Sequence, residues 1–271
     1  MTTAQATALP SPTRVGLSRG RIELRQFFRQ REQVIFTFTF PAFILVLLAS
    51  IFNGTYPDGV SVGQVFSASM IGAGIVATSF LNMGVGVALD REDGTLKRLH
   101  GTPVTATSYF LGKIVLVAVA SLAEVVLLLA VGMALFDVTL PTDPGRWVTF
   151  AWVFLLTVVS CSLLGIAISS IARGAQSAAA VTNVPYVALL FMSGVYITLD
   201  ALPEWMLRVG SLFPIKWAAQ GFRSVFLPDS MAVQEAAGSW EHGTTALALG
   251  AWCVVGLLLC LVTFRWTNRR G

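Results

Sequence analysis

The chain alternates between long apolar runs and short segments that hold most of its charged residues. A helix needs about 20 apolar residues to cross roughly 30 Å of hydrocarbon. Six runs are long enough, and they cover residues 34–52, 62–89, 108–136, 147–171, 178–199 and 244–264. Pro41 and Pro185 lie inside two of these runs, where they predict kinks that neighbouring helices tolerate. The pattern therefore predicts an all-α membrane protein with six membrane-spanning helices.

The basic residues are divided unequally between the two sides of this predicted topology. Of the 18 Lys and Arg residues, four fall on the predicted outer side: Arg146, Arg208, Lys216 and Arg223. Short cytoplasmic loops are enriched in Lys and Arg, so both termini are predicted to be cytoplasmic in a multi-pass inner (plasma) membrane protein. Residues 1–33 then form a cytoplasmic tail and an interfacial helix, residues 34–264 the six-span domain, and residues 265–271 a short cytoplasmic tail.

The segment before the first span has the pattern of an amphipathic helix. Arg21, Arg25 and Arg29 recur every four residues, and Leu24 and Phe28 repeat on an apolar face. This spacing predicts a helix that lies in the cytoplasmic membrane interface. Two interpretations remain open: an anchor attracted to anionic lipid, or an elbow that also contacts a cytoplasmic partner.

Composition and motifs exclude several other functions. The chain is 55% hydrophobic and 12% charged, whereas a soluble domain has about 25% charged residues. Its net charge of +4 is spread over short loops and forms no basic surface for nucleic acid. The sequence lacks G-x-x-x-x-G-K-[ST], H-E-x-x-H and G-x-S-x-G. We therefore expect no bound cofactor, no metal site and no enzymatic activity in this chain.

The loop after the second predicted span, residues 90–103, has the pattern of a short docking helix. Leu96 and Leu99 form an apolar pair at i and i+3 between charged residues, and Pro103 follows them. From the residues alone, a docking helix and a solvated turn whose leucines dip into the interface are equally consistent with this pattern.

The same loop resembles the signature of type-2 ABC transporter permeases, which include the small daunorubicin-resistance-type export permeases. That signature is an acidic residue followed by Gly-Thr-Leu-x-x-Leu-x-x-Thr-Pro. It is matched here by Glu92 or Asp93, Gly94, Thr95, Leu96, Leu99, Thr102 and Pro103. A second similarity is Pro203-Glu204-Trp205 followed by the segment from Phe213 to Arg223, in which Phe213 replaces the usual Asn.

The resemblance implies that residues 91–99 form a coupling helix seated on a separate ATP-hydrolysing subunit that carries ATP and Mg. The implied contact residues are Arg91, Glu92, Asp93, Gly94, Thr95, Leu96, Lys97, Arg98, Leu99 and Pro103. The resemblance also implies a second permease subunit, in a homodimer or a heterodimer.

The outer segment, residues 199–227, is interrupted by Pro203 and Pro214. We therefore predict two short extracellular helices that re-enter the membrane before the last span. The basic residues of this segment then either reach the membrane interface or form part of an exit gate.

Glu124 is the acidic residue that lies inside a predicted span, close to the bilayer midplane. An ionised carboxylate there is costly, so Glu124 should face the bundle interior. It is either neutral and hydrogen-bonded to Asn82, Gln176 or Asn183, or it lines a substrate pathway that includes Asn82 and Asn183.

The leading hypothesis is the permease of an ATP-driven exporter for a small hydrophobic compound or antibiotic. Within transport, the alternative is export of lipid-linked polysaccharide or another large amphiphile. The alternative from another class is an ATP-independent membrane enzyme or assembly factor, which clustered intramembrane acids or histidines would have favoured.

The topology can be tested by cysteine labelling in intact cells, after the native cysteines have been replaced. Single cysteines at Ser61, Thr142 and Ser239 should react with a membrane-impermeant thiol reagent, because these positions are predicted to be outside. A cysteine at Thr102 should react only after permeabilisation. Labelling at Thr102 but not at Ser239 in intact cells would reverse the topology.

Overall fold

The computed structural model describes residues 11–264 except residues 53, 57, 103 and 198 and the side chain of Asp200. All of the regular elements in this described part are helical. The helices are α1 (Pro12–Arg29), α2 (Arg31–Ile51), α3 (Val62–Val76), α4 (Met83–Glu92), α5 (Thr95–His100), α6 (Ala106–Phe136), α7 (Pro144–Ser169), α8 (Ala175–Met192), α9 (Glu204–Ser211), α10 (Pro214–Phe226) and α11 (His242–Thr263). A π-helical segment, Ala77–Asn82, joins α3 to α4 into one continuous span.

Six of these helices are long and apolar enough to cross a membrane, which confirms the predicted all-α, six-span fold. One predicted boundary is clearly wrong, because the fifth span ends at Met192 and not at residue 199. The other helix ends lie close to the predicted ones. After Met192 the chain turns through Gly194, whose φ is +75°. The apolar run continues past this turn because residues such as Val195 are buried in the turn itself.

Helix α1 packs against the inner end of α6. Gly16 and Gly20 face Leu111 and Val115 so closely that a Cβ on either glycine would lie 2.8 Å from them. The face of α1 that carries these glycines continues through Glu23 and Phe27, which are both buried. The arginines predicted for the interfacial face, Arg21, Arg25 and Arg29, and the neighbouring Phe28 are exposed, as that placement requires. The interfacial position itself stays a prediction.

Helix α10 is the most enclosed element of the bundle, since all of its residues are buried. It crosses α3 where a Cβ on Gly72 would lie 2.9 Å from the Ala219 Cα. It meets α7 where a Cβ on Gly221 would lie 2.8 Å from Val153. In hydrocarbon there is no hydrophobic driving force for apolar side chains to associate. Close approach of the helix backbones at small residues therefore supplies much of the packing energy.

The turn between α9 and α10 lies beside the middle of α11. The Trp252 indole donates a hydrogen bond of 2.9 Å to the carbonyl of Leu212. The Phe213 ring stacks on the Trp252 ring at a centroid distance of 6.0 Å. These contacts tie the outer segment to a membrane-crossing helix well away from its ends, and re-entry into the membrane stays a prediction.

Two of the basic side chains in the outer segment are buried, which contradicts one of their two predicted placements, at the membrane interface. Arg223 is buried and forms a two-bond ion pair with Glu235, with N···O distances of 2.6 and 3.0 Å. Lys216 is also buried, 3.7 Å from Glu241. Burial lowers the pKa of the Lys216 ammonium, and the Glu241 carboxylate opposes that shift. Arg208 alone of the three is exposed, so neither Arg223 nor Lys216 extends to an interface.

The contact between α3 and α10 can be tested with a matched pair of glycine substitutions in one span. Gly72→Ala should lower the unfolding free energy in detergent by about 1–3 kcal/mol, because the new methyl group meets the Ala219 backbone. Gly86→Ala should leave stability equal or slightly higher, since nothing lies within 4 Å of that Cβ. Equal stability of the two variants would contradict the packing described.

Candidate functional site

The loop after the second span, which is predicted to be cytoplasmic, consists of a helix end, a tight turn and a new short helix. Helix α4 ends at Glu92, Gly94 adopts a left-handed conformation with φ +74°, and α5 begins at Thr95. The prediction of one continuous helix over residues 91–99 is therefore wrong, because the left-handed glycine breaks it, and the coupling role of these residues stays a prediction. The predicted contact residue Pro103 lies outside the described residues.

Helix α5 presents its charged side outwards and its leucines inwards. Leu96 has 0% exposure, and Leu99 is half-buried against the core of its own chain. Lys97, Arg98 and Asp93 are exposed. In this conformation Leu96 offers no area to a partner. A partner that meets α5 would therefore contact mainly its charged side chains.

Arg91 and Glu92, both predicted to contact a partner, form hydrogen bonds within the chain, and Glu92 is also exposed. The Arg91 guanidinium donates a 2.7 Å hydrogen bond to the Ser169 carbonyl at the end of α7. The Glu92 carboxylate accepts a 2.8 Å hydrogen bond from the backbone N–H of Ala175 at the start of α8. Both contacts also match the helix dipoles, which favour a cation at a C-terminus and an anion at an N-terminus.

The preceding residue, Asp90, links α4 to two more helices. Its carboxylate lies 2.7 Å from the Lys113 ammonium of α6 and accepts a 2.7 Å hydrogen bond from the Tyr109 hydroxyl. Lys113 also binds the Glu23 carboxylate of α1 at 2.9 Å, and Arg19 binds the other oxygen of Glu23 at 2.8 Å. We call Asp90, Arg91 and Glu92, together with these partners, the inner linkage.

Sequence reasoning missed the Glu23 and Asp90 contacts and treated Lys113 only as a marker of topology. One local signal was available for Glu23, because it is the single acidic residue in α1 and follows Gly16 and Gly20 on one helical face. Its partner Lys113 is 90 positions away. No spacing rule within one element can identify such a pair.

Glu124 is buried and makes its hydrogen bond within the bundle. The Thr78 hydroxyl, on the π-helical segment, donates a 2.7 Å hydrogen bond to its carboxylate. A Cβ on Gly74 would lie 2.3 Å from the other carboxylate oxygen, so the absence of a side chain there makes room for the acid. None of the three predicted partners, Asn82, Gln176 and Asn183, bonds to Glu124. The hydrogen-bond partners that the sequence analysis predicted for Glu124 are therefore wrong.

A cleft of about 440 Å³ opens between α1, α2, the second span and α6. Two predicted pathway residues, Asn82 and Asn183, line it. Thr78 lines it as well, whereas Glu124 lies behind Thr78 and is 1% exposed. We call this space the inner cleft. Glu124 can thus affect the cleft through Thr78, and Asn82 and Asn183 face it directly.

The described residues offer few groups for metal or redox chemistry. They contain no group of three or more His, Cys, Asp or Glu residues that could hold a metal ion. Cys161, Cys253 and Cys260 are free thiols in the spans. The site formed by the described residues consists of ion pairs, amides and apolar walls.

Comparison with known proteins places this architecture among transport proteins. Residues 20–227 match the family model described as ABC-2 type transporter. The chain is 27% identical over 190 residues to the putative transport permease ycf38 of Porphyra purpurea, covering 69% of this chain and 65% of that protein. It is 20% identical over 192 residues to the putative transport permease YvfS of Bacillus subtilis, covering 71% and 77%. It is 24% identical over 144 residues to the probable multidrug ABC transporter permease YbhR of Escherichia coli, covering 53% and 38%.

The hydrogen bond between Thr78 and Glu124 can be measured with a double-mutant cycle in unfolding experiments. Glu124→Leu should destabilise the protein, because the buried Thr78 hydroxyl loses its acceptor. Combining it with Thr78→Val should restore part of that loss, with a coupling energy of about 0.5–1.5 kcal/mol. The control is Thr182→Val, whose hydroxyl bonds only to its own helix. The effects of Thr182→Val and Glu124→Leu on the unfolding free energy should be additive. If the effects of Thr78→Val and Glu124→Leu are additive as well, the assigned hydrogen bond between Thr78 and Glu124 is contradicted.

Proposed function

The chain belongs to the ABC-2 type transporter family and is its membrane permease component, and from this premise we propose that it is the transmembrane subunit of an ATP-driven exporter. ATP and Mg are bound by separate ATPase subunits, and this chain holds no cofactor. A second permease subunit completes the pathway. The chain lies in the inner membrane with both termini in the cytoplasm. Its cargo is a small hydrophobic compound, in keeping with the multidrug name of one relative.

The observation that carries this proposal is the inner linkage. Three consecutive side chains connect the α4 to α5 turn with α6 and α1 through Asp90, with α7 through Arg91, and with α8 through Glu92. A force applied to α5 therefore reaches four other helices within one turn of α4. An exporter needs such a connection, because its ATPase can shift the bundle between states only through differential contacts.

The charged side of α5 is the surface that we assign to the ATPase. Lys97 and Arg98 are exposed at its centre, and Asp93 lies at its start. Leu96 anchors α5 to its own bundle, so that a displacement of the helix is transmitted into the bundle. This division of roles replaces the sequence-based hypothesis in which the leucines dock on the partner.

The partner surface can be tested by co-purification after mild extraction. Lys97→Glu combined with Arg98→Glu should lower ATPase retention at least about tenfold, since like charges facing a complementary surface oppose binding. Insertion and thermal stability should not change. The control is Arg208→Glu, an exposed cation on the opposite, predicted outer side. It should retain the ATPase, and normal retention in the double variant would contradict the assigned surface.

A second variant separates docking from transmission. Glu92→Gln leaves the α5 surface intact but removes the charge that binds the start of α8. We expect normal ATPase retention and export of an uncharged hydrophobic dye reduced several-fold. The comparison variant is Glu204→Gln, an exposed acid that pairs with Arg208 one turn along its own helix, and it should export normally. Full export by Glu92→Gln would show that the inner linkage is structural.

A further inference from the structure

The inner cleft has the size of a ligand site and belongs to one end of the bundle. Its volume of about 440 Å³ lies within the range of about 300–1,000 Å³ for small-molecule sites. It extends along the second span from Asp90 to Thr78. Twelve residues at 1.5 Å each correspond to roughly 18 Å. Half of the hydrocarbon core is about 15 Å thick, so the cleft covers the depth of one leaflet, on the side that carries α1.

The polarity of the inner cleft changes along this length. Its α1 end contains Glu23, Asp90 and Lys113 of the inner linkage. The rest of its lining is mostly apolar and includes Leu81, Leu116 and Val117, with Thr78, Asn82 and Asn183 as polar groups. This order, a polar end followed by an apolar wall, matches a molecule with a polar head and an apolar tail that is aligned with the lipids around it.

The polar end carries no unbalanced charge. Lys113 lies between the Glu23 and Asp90 carboxylates, and Arg19 pairs with Glu23. Two cations thus face two anions. A head group with a net charge would gain no opposite charge here and would lose part of its hydration. The ionic cluster therefore favours an uncharged head.

Uncharged hydrogen-bonding groups are present at the same end. Gln26, Gln30 and Gln33 line the cleft at intervals of four and three residues, across the junction of α1 and α2. Asn82 lines it further in. Within the described residues, none of these four amide side chains forms a hydrogen bond to a protein group. The three glutamines are exposed, so their amides can exchange water for hydroxyl or amide groups of a ligand.

We propose that the inner cleft binds an uncharged amphiphile taken from the leaflet on the α1 side. Its hydroxylated or amide head contacts the glutamines, and its acyl or similar chain lies along Leu81, Leu116 and Val117. That this ligand is also exported rests on the proposed function. The binding itself does not depend on ATP or on an ATPase partner.

The test uses the full chain in phosphatidylcholine nanodiscs and a photoactivatable probe. The probe is monododecanoylglycerol with a diazirine on its acyl chain, and its competitor is unlabelled monododecanoylglycerol. Labelled peptides are identified by mass spectrometry. We expect labelling around Leu116 and Leu81 that the competitor reduces at least fivefold. Labelling that is spread over exposed lipid-facing residues such as Leu247 and Val262, and that is not saturable, would show annular lipid contact only and overturn the proposal.

Two matched pairs of variants locate the site. Leu116→Trp should fill the cleft and reduce labelling at least fivefold, whereas Val119→Trp, exposed on the same helix and outside the cleft, should not. Gln30→Leu with Gln33→Leu should reduce labelling several-fold. Gln176→Leu, an exposed amide at the start of α8, should have no effect. Equal labelling of the cleft variants and their controls would contradict the assignment, provided that all of them elute and melt like the parent protein.

A third set of experiments tests the charge of the head group and whether a second copy of the chain covers the cleft. An analogous diazirine probe with a phosphate head should label the cleft at least fivefold less, and equal labelling would refute the uncharged head. Crosslinks from a cysteine at Leu116 to a second copy of the chain would show that the cleft is an interface, which also overturns the proposal. Saturable labelling supports the site even where no ATPase co-purifies. If saturable labelling is absent, the site is refuted even where an ATPase co-purifies.

Discussion

The structure depends on the pairing of three adjacent charged side chains at the inner end of the second span. Asp90, Arg91 and Glu92 each find a partner on a different helix, so that a single turn of α4 holds α1, α6, α7 and α8 together. Asp90 and Arg91 are partly buried, and such charges are costly unless they are compensated, whereas Glu92 is exposed and adds a hydrogen bond to α8. The positions of these five helices relative to one another are therefore interdependent at this end of the bundle.

The opposite end is held by a different kind of contact. There α10 is buried between α3, α7 and α11, and glycines such as Gly72 and Gly221 bring its backbone close to its neighbours. Close packing of this kind resists gradual deformation. Helices α2 and α8, in contrast, bury little of their surface. The bundle thus combines a tightly packed end around α10 with two helices, α2 and α8, that bury few residues within this chain and border the inner cleft.

The sequence predicted the six spans well because hydropathy alone determines whether a helix can cross a bilayer. It failed where an apolar run leaves its helix, as after Met192, and where a single left-handed residue divides a helix, as at Gly94. It identified Glu124, Asn82 and Asn183 as notable polar residues but gave Glu124 the wrong partners. The Thr78 hydroxyl and Glu23 were missed because their contacts join distant segments. Such pairings depend on how helices are arranged, which local periodicity does not record.

The inner linkage and the inner cleft share residues, and this has a mechanical consequence. Asp90 and Lys113 bind each other in the linkage and also line the polar end of the cleft. A displacement of α4 therefore changes the distance between these two groups or carries α6 with it. In either case the polar end of the cleft changes shape. A ligand whose head lies there has differential contacts with the two arrangements, and by linkage its binding must bias the position of α5 just as α5 biases its binding. In the proposed exporter, cargo binding and ATPase docking would then be coupled through one ion pair, with no need for a pathway that crosses the tightly packed end around α10.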